Sequence, residues 1–227
     1  MSKSTFLSLA IILLSFGLAP NASQGGIALS DLFAGESIDS GSVIYDNFQL
    51  LADDGTIALD LASASVCAQV TDGVSSLKFD FGTGLTLDPG FDSVVFQLGY
   101  DVTARGGLIN GETLQIGSTS SAGVEGLIDV ASDLSLGTTL LSSQSATIDP
   151  IFGVDERISF SVIPPTQTFA AQTSFSVFAD ENFTAPDFVT LDSFTQSFSV
   201  SAVPEPSSFV TLASALGLVT LRRRRRS

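Results

Sequence analysis

The chain has 227 residues and a formal net charge of −15, with one cysteine (Cys67) and neither histidine nor tryptophan. Without histidine it cannot form a Ser-His-Asp triad, a Cys-His dyad or a histidine-ligated zinc site. A single cysteine excludes an intrachain disulfide, a CxxC redox pair, a four-cysteine metal site and an Fe–S cluster. The charge balance opposes nucleic-acid binding, which relies on basic contacts to phosphates. The composition leaves a binding, structural or surface role, or catalysis by carboxylates.

The first 22 residues are typical of a secretory signal peptide. Lys3 supplies the positive n-region, residues 6–18 form the apolar h-region, and residues 20–22 form a polar exit of small residues. We expect cleavage after Ala22. The proline three positions from that bond fits the small-residue rule poorly, so cleavage after Ala19 or at a slightly later site stays open.

Charge is distributed unevenly along the rest of the chain. Residues 23–203 carry 23 Asp and Glu against three basic residues, Lys78, Arg105 and Arg157, which gives this body a net charge of −20. Five of the six other basic residues form one run at the C-terminus, at 222–226. The acidic body and the basic tail are therefore two regions of opposite charge. The body should repel anionic polysaccharide unless divalent cations bridge the two.

The C-terminus combines three elements in a fixed order. The segment Pro204-Glu205-Pro206 cannot be helical throughout, because proline lacks an N–H and disfavours helix in the residue before it. Residues 207–221 are uncharged and predict a single transmembrane helix of about 22 Å. A bilayer core is about 30 Å thick, so the helix needs arginine snorkelling or local thinning to fit. The arginines at 222–226 hold the tail in the cytoplasm, which places the body outside.

This C-terminus resembles the PEP-CTERM sorting signal of exosortase substrates. The matching residues are the motif Pro204, Glu205 and Pro206, the helix at 207–221, and the cluster Arg222, Arg223, Arg224, Arg225 and Arg226. The resemblance covers residues 204–227 alone and leaves the body unassigned. It implies a Gram-negative bacterium that makes exopolysaccharide, with signal peptidase and an exosortase-like protease as partners. It also implies transient anchoring in the inner membrane, then release to the cell surface or extracellular matrix. An ordinary single-pass anchor is the alternative.

Alternating residues predict that the body, 23–203, is one all-β domain, an antiparallel β-sandwich or jelly roll. Apolar and polar side chains alternate with period two in Ser93–Thr103, and shorter stretches around Phe79, Phe160 and Phe198 do the same. The face that contains Phe198 is interrupted by Gln196. Many short strands with spaced turns are typical of sandwiches, although two small sandwiches stay possible.

Further strands and turns follow from local signals. Ile57, Leu59 and Leu61 alternate with polar or small residues and predict a strand. Asp72-Gly73 predicts a turn, and Asn110-Gly111 predicts a hairpin between the segments 107–109 and 112–117. Residues 124–141 fit neither period, so a short helix or a loop is expected there.

Phenylalanine is the predicted core filler. Eight of the 18 lie between residues 160 and 198, at Phe160, Phe169, Phe175, Phe178, Phe183, Phe188, Phe194 and Phe198. Cys67 has apolar neighbours, which favours a buried, unreactive thiol over an intermolecular disulfide.

We predict a non-enzymatic cell-surface or matrix protein with no catalytic residue, no metal ligand and no cofactor. A carbohydrate-binding or adhesive module of the exopolysaccharide matrix is one alternative. A carboxylate-based glycoside hydrolase is another, although sugar-stacking aromatic residues are scarce. Structural calcium also stays open. Its candidate ligands form four loop clusters, none of which matches a calcium motif: Asp53-Asp54, Asp88 with Asp92, Asp155-Glu156 and Asp180-Glu181-Asn182.

Overall fold

The structure is a computed structural model that describes residues 25–82, 85–88, 92–118, 120, 122, 126–150, 153–179 and 188–202. The predicted signal peptide (1–22), the motif at 204–206, the predicted membrane segment (207–221) and the arginine run (222–226) lie outside the described residues. Within the described ranges, no helix has the length and apolar character needed to cross a bilayer.

The described residues form one short helix, α1 (Leu29–Phe33), and fifteen strands. In chain order the strands are β1 (Ile27–Ala28), β2 (Ile38–Asp39), β3 (Val43–Asp53), β4 (Ser65–Thr71), β5 (Val74–Asp80), β6 (Thr86–Leu87), β7 (Asp92–Ala104), β8 (Gly107–Ile116), β9 (Leu127–Leu136), β10 (Thr139–Asp149), β11 (Gly153–Asp155), β12 (Arg157–Thr166), β13 (Thr168–Ala179), β14 (Val189–Thr190) and β15 (Ser193–Ala202).

The strands build two large antiparallel sheets. The six-stranded sheet has the order β1-β4-β5-β15-β8-β12, and the seven-stranded sheet has the order β11-β10-β9-β13-β7-β3-β2. Strands β6 and β14 form a separate two-stranded ribbon. One continuous hydrophobic cluster unites the buried side chains of both large sheets. The prediction of an antiparallel all-β domain is confirmed, and the arrangement is consistent with a sandwich.

Aromatic side chains fill the space between the sheets. Phe175 of β13 pairs in register with Phe96 of β7, and their rings stack with centroids 4.5 Å apart. From the other sheet, Phe194 meets the Phe175 ring edge-on at 5.4 Å, and Phe79 meets it at 5.9 Å. Offset-stacked and edge-to-face contacts of this kind add to the hydrophobic gain from burial. The alternation seen in the sequence therefore does place phenylalanine in the core.

Two of the phenylalanines predicted to lie in the core are in fact exposed. Phe178 is 40% exposed and Phe188 is 52% exposed, whereas Phe169 and Phe198 are buried. Phe178 falls on the outer face of β13 because it is an odd number of residues from the inward Phe175. Phe188 precedes the short strand β14, outside the two large sheets.

The predicted hairpin at Asn110-Gly111 is wrong, because β8 runs through both residues. Gly111 pairs with Ser199, and the next pair joins Ile109 to Val200, so Asn110 is the extra residue of a β-bulge. Glycine within a strand often marks such a bulge. The turn before β8 lies instead at Gly106, which has a φ of 72°.

The turn at Asp72-Gly73 is confirmed. It joins β4 to β5, and both residues have positive φ values, 52° and 80°. Two positive φ values in a two-residue loop match the twist of the flanking strands.

Two other segments differ from the sequence predictions. Residues 57–61 do not form a strand, because Asp60 organises a turn and accepts a hydrogen bond from the N–H of Ala62. The ambiguous stretch 124–141 contains β9 and the start of β10, joined at Gly137 with a φ of 60°.

Cys67 is half-buried on the outer face of β4, so the prediction of a buried thiol is also wrong.

Candidate functional site

The outer face of the six-stranded sheet carries aligned rows of small polar side chains. The central row crosses five neighbouring strands and consists of Gln69, Ser76, Ser197, Thr113 and Ser159. Hydrogen bonds of 2.8 Å join Ser76 Oγ to Ser197 Oγ and Thr113 Oγ1 to Ser159 Oγ. At about 4.8 Å per strand, the row is roughly 19 Å long.

A groove of about 550 Å³ lies over this face. Most of its lining side chains end in a hydroxyl or an amide, among them Gln69, Ser76, Thr113, Gln115, Thr195 and Ser197. Each hydroxyl both donates and accepts hydrogen bonds, and each glutamine amide provides two donor hydrogens and an acceptor oxygen. The groove can therefore bind a ligand that is itself covered with hydroxyl groups.

Basic residues are concentrated on the groove side of the domain. Lys78 and Arg157 lie on the outer face of the six-stranded sheet, and Arg157 lines the groove. Lys78 Nζ lies 3.5 Å from Asp80 Oδ2, and Asp72 also lines the groove. The two cations are thus offset by two carboxylates, and this part of a very acidic body is close to neutral.

The outer face of the seven-stranded sheet has the opposite character. Several carboxylates alternate outward on its strands, among them Asp46, Asp101, Asp129 and Asp133. Partial burial raises the pKa of Asp46, and the neighbouring charge of Asp101 raises it further. Among the described residues, the outer face of the seven-stranded sheet is therefore more acidic than the groove face.

The calcium candidates can be compared only in part with the described residues. Asp53, Asp54, Asp88 and Asp92 lie in the described ranges, whereas Asp180-Glu181-Asn182 lies outside them and the Asp155 side chain is not described. Among the described residues, no group of three or more carboxylates or thiols is positioned to hold a metal ion.

A second polar site lies between the two sheets, around Gln196 of β15. Gln196 Oε1 accepts hydrogen bonds from the Tyr100 hydroxyl and, at 3.0 Å, from Thr173 Oγ1. Gln196 Nε2 donates to Glu112 Oε1 and, at 3.0 Å, to Ser132 Oγ. Ser132 Oγ in turn donates to Glu112 Oε1 at 2.8 Å. All five side chains are at most 2% exposed, so this cluster, which we call the Gln196 network, lies within the core.

Glu112 is the only carboxylate of the Gln196 network. Burial raises its pKa to about 7, an effect opposed by the hydrogen bonds from Ser132 and Gln196 and assisted by the charge of Asp133. Its Oε2 atom is buried, and no hydrogen-bond partner for it occurs among the described residues. The carboxyl group therefore has basic character and proton-transfer capacity near neutral pH.

The sequence contained only indirect signals for both sites. The predicted sorting residues lie outside the described range. The groove was not predicted from the sequence, because Ser, Thr and Gln on an outer face are common in any solvated strand. For the network the signal was Gln196, which interrupts an apolar face. Glu112 shares the inward periodicity of Leu114 and Ile116, a pattern that the sequence interpretation missed.

No family model and no curated protein matches this sequence. Among solved structures, the chain is similar to a carbohydrate-binding module in complex with β-1,4-galactotriose, at 11% identity and a TM-score of 0.28 over 65% of this chain and 86% of that one. It is similar to the enzymatically active domain of tailspike protein 4 of bacteriophage CBA120, at 11% identity and a TM-score of 0.28 over 68% of this chain and 19% of that one. It is similar to an arabinose-bound α-L-arabinofuranosidase, at 13% identity and a TM-score of 0.25 over 79% of this chain and 26% of that one. These similarities are too distant to assign a family.

Proposed function

We propose that this is an exported, non-enzymatic protein of the cell surface or extracellular matrix that binds polysaccharide in the groove on its six-stranded sheet. The observation that carries the proposal is the lining of that groove, where hydroxyl and amide side chains project from four adjacent strands, β4, β5, β15 and β8. Such groups exchange hydrogen bonds with sugar hydroxyls without the acid and base that glycoside hydrolysis needs.

The charge distribution favours a neutral polysaccharide as the ligand. The body as a whole carries a charge of −20, which repels polyanions over the range of a Debye length. Within the groove, Asp72 and Arg157 offset each other, so the binding surface adds no attraction for acidic chains. A neutral chain meets the hydrogen-bonding groups without this long-range penalty.

Export and C-terminal processing complete the proposal. The support is the sequence alone, namely the N-terminal signal peptide and the Pro204-Glu205-Pro206 motif followed by an apolar segment and five arginines. Strand β15 ends at Ala202, two residues before Pro204, so the body would be held close to the inner membrane until an exosortase-like protease releases it. Mapping the mature C-terminus by mass spectrometry in the native host tests this step, and an intact tail at 222–226 would contradict it.

Binding can be tested by affinity electrophoresis in gels that contain a neutral or an acidic polysaccharide. We expect neutral polysaccharide to retard the protein and the double variant Gln69→Ala/Gln115→Ala to migrate freely. Gln172→Ala is the matched control, because Gln172 is exposed on the outer face of the opposite sheet and its variant should be retarded like the parent. Equal retardation of the parent and the double variant would overturn the proposal.

A further inference from the structure

The Gln196 network contains the components of an acyl-transfer reaction, although it lies in the core. Such a reaction needs a nucleophile, a base within hydrogen-bond reach of it, an electrophilic carbonyl and donors for the developing oxyanion. The side chains of the network bring a hydroxyl, a carboxylate, an amide and two further hydrogen-bond donors within hydrogen-bonding distance of one another.

Ser132 and Glu112 form the pair of nucleophile and base. Ser132 Oγ donates to Glu112 Oε1 at 2.8 Å, within the range expected of an activated hydroxyl. Burial raises the pKa of Glu112 to about 7, which makes its carboxylate a stronger base than an exposed glutamate. Ser132 is 0% exposed, so the hydroxyl has no bulk solvent around it.

The electrophile is the side-chain amide of Gln196. Its Nε2 atom lies 3.0 Å from Ser132 Oγ. Because the C–N bond is about 1.33 Å long, Ser132 Oγ lies at most about 4.3 Å from the carbonyl carbon Cδ. The Gln196 side chain must shift to bring Cδ within the roughly 3–3.5 Å that attack requires. The same carboxylate oxygen, Glu112 Oε1, accepts hydrogen bonds from both Ser132 and the Gln196 amide nitrogen. One atom of Glu112 thus touches the nucleophile and the leaving group.

The carbonyl oxygen of Gln196 has two donors. The Tyr100 hydroxyl and Thr173 Oγ1 both donate to Gln196 Oε1. Tyr100 lies on β7 and Thr173 on β13, two strands held in register within the seven-stranded sheet. They form a rigid, preorganised oxyanion hole, the feature that lowers the barrier most in many acyl transfers.

We propose that Ser132 and Gln196 react to form an intramolecular ester that covalently links the two sheets. Ser132 Oγ forms a bond to Gln196 Cδ while the hydroxyl proton passes to Glu112 Oε1. The Cδ–Nε2 bond then breaks, Glu112 returns the proton to Nε2, and the nitrogen leaves as ammonia. The reaction consumes no oxidant, reductant or second substrate.

The position of the bond gives it a mechanical role. Gln196 lies on β15, the last described strand, which leads towards the C-terminus, and Ser132 lies on β9 of the other sheet. While the chain is still anchored at its C-terminal end, a pull on that end would act directly on β15. An ester from β15 to β9 prevents this strand from being peeled away, and the dry core protects the ester from hydrolysis.

Mass spectrometry of the full chain tests the ester without any variant. We expect the folded, purified protein to be lighter than its sequence by one ammonia, and proteolysis to give one joined product that contains residues 132 and 196. Alkaline hydroxylamine should cleave this product into two peptides. Separate, unmodified peptides containing Ser132 and Gln196 would overturn the proposal, as would a linkage at Thr173.

Variants identify the roles of the participants. Ser132→Ala and Glu112→Gln should retain the ammonia, and Tyr100→Phe should slow its loss by about a hundredfold because one oxyanion donor is missing. Ser75→Ala is the matched control. Ser75 is equally buried and hydrogen-bonds Tyr45 at 2.7 Å between the same two sheets, so this variant should lose ammonia like the parent. Loss of ammonia from Ser132→Ala at the parent rate would contradict the assignment of the nucleophile.

Discussion

The Tyr100 hydroxyl of the seven-stranded sheet donates a hydrogen bond to Gln196 Oε1 of the six-stranded sheet. Tyr100 therefore acts both as a core aromatic residue, stacked on Phe48 at 5.1 Å, and as a polar link between the sheets. Burial raises the pKa of Tyr100 well above its ordinary value, and nearby Glu112 and Tyr45 add to this effect. The hydroxyl consequently stays protonated and remains a donor throughout the physiological range.

Phe175 and Phe188 should differ sharply in their contribution to stability. Phe175 is fully buried among four other phenylalanine rings, so Phe175→Ala should lower the free energy of unfolding by about 3–5 kcal/mol. Phe188 is 52% exposed, and Phe188→Ala should cost about 1 kcal/mol or less. Urea denaturation of both variants measures the difference, and equal losses would contradict the described core.

Glu112 should make stability fall as pH rises. Its pKa in the folded protein is raised from 4.5 to about 7, so between these values the folded state keeps a proton that the unfolded chain has released. The contribution of Glu112 to the free energy of unfolding is therefore fully present below about pH 4.5 and is lost by about pH 7. The total change in this free energy is at most about 3 kcal/mol.

The Glu112→Gln variant removes this titration and keeps that of the other carboxylates. Because it also blocks the proposed ester, the comparison uses the change in stability between two pH values and not the absolute stability. Denaturation of parent and variant at pH 5 and pH 8 should show a smaller loss of stability in the variant over this interval. An identical pH dependence in the two proteins would mean that Glu112 does not titrate in this range.

Gly55 should tolerate no side chain, because the backbone of β7 passes directly beside it. A Cβ atom at this position would lie 2.6 Å from the Ser93 carbonyl oxygen and 2.7 Å from the Val95 nitrogen. We expect Gly55→Ala to lower the free energy of unfolding by about 2 kcal/mol or more. Gly25→Ala is the control, since a Cβ there meets nothing within 4 Å, and a loss of the same size in both variants would contradict the close approach.

The repetitive part of the fold could be predicted from the sequence. Period-two alternation located β7 and β5 because half-buried strands must direct every second side chain inward. The failure at Asn110-Gly111 has a physical reason, since the same dipeptide suits a hairpin turn and a bulge, and only the neighbouring strands decide between them.

The sites were harder to predict because each depends on contacts between distant parts of the chain. Glu112 and Gln196 are 84 positions apart and meet only because β8 and β15 are neighbours in the sheet. Likewise, Ser76 and Ser197 are 121 positions apart and become adjacent only through the pairing of β5 with β15. Strand order is a property of the whole fold, and local alternation does not contain it.

The most direct test of polysaccharide binding is to titrate neutral polysaccharide into isotopically labelled protein and follow the backbone amide resonances by NMR. We predict that the largest shifts occur at the groove residues Gln69, Ser76, Thr113, Gln115 and Ser197. Asp101, Ala131 and Ser174, on the outer face of the opposite sheet, should stay unchanged. Shifts centred on that opposite face, or no shifts at saturating polysaccharide, would contradict the proposed function.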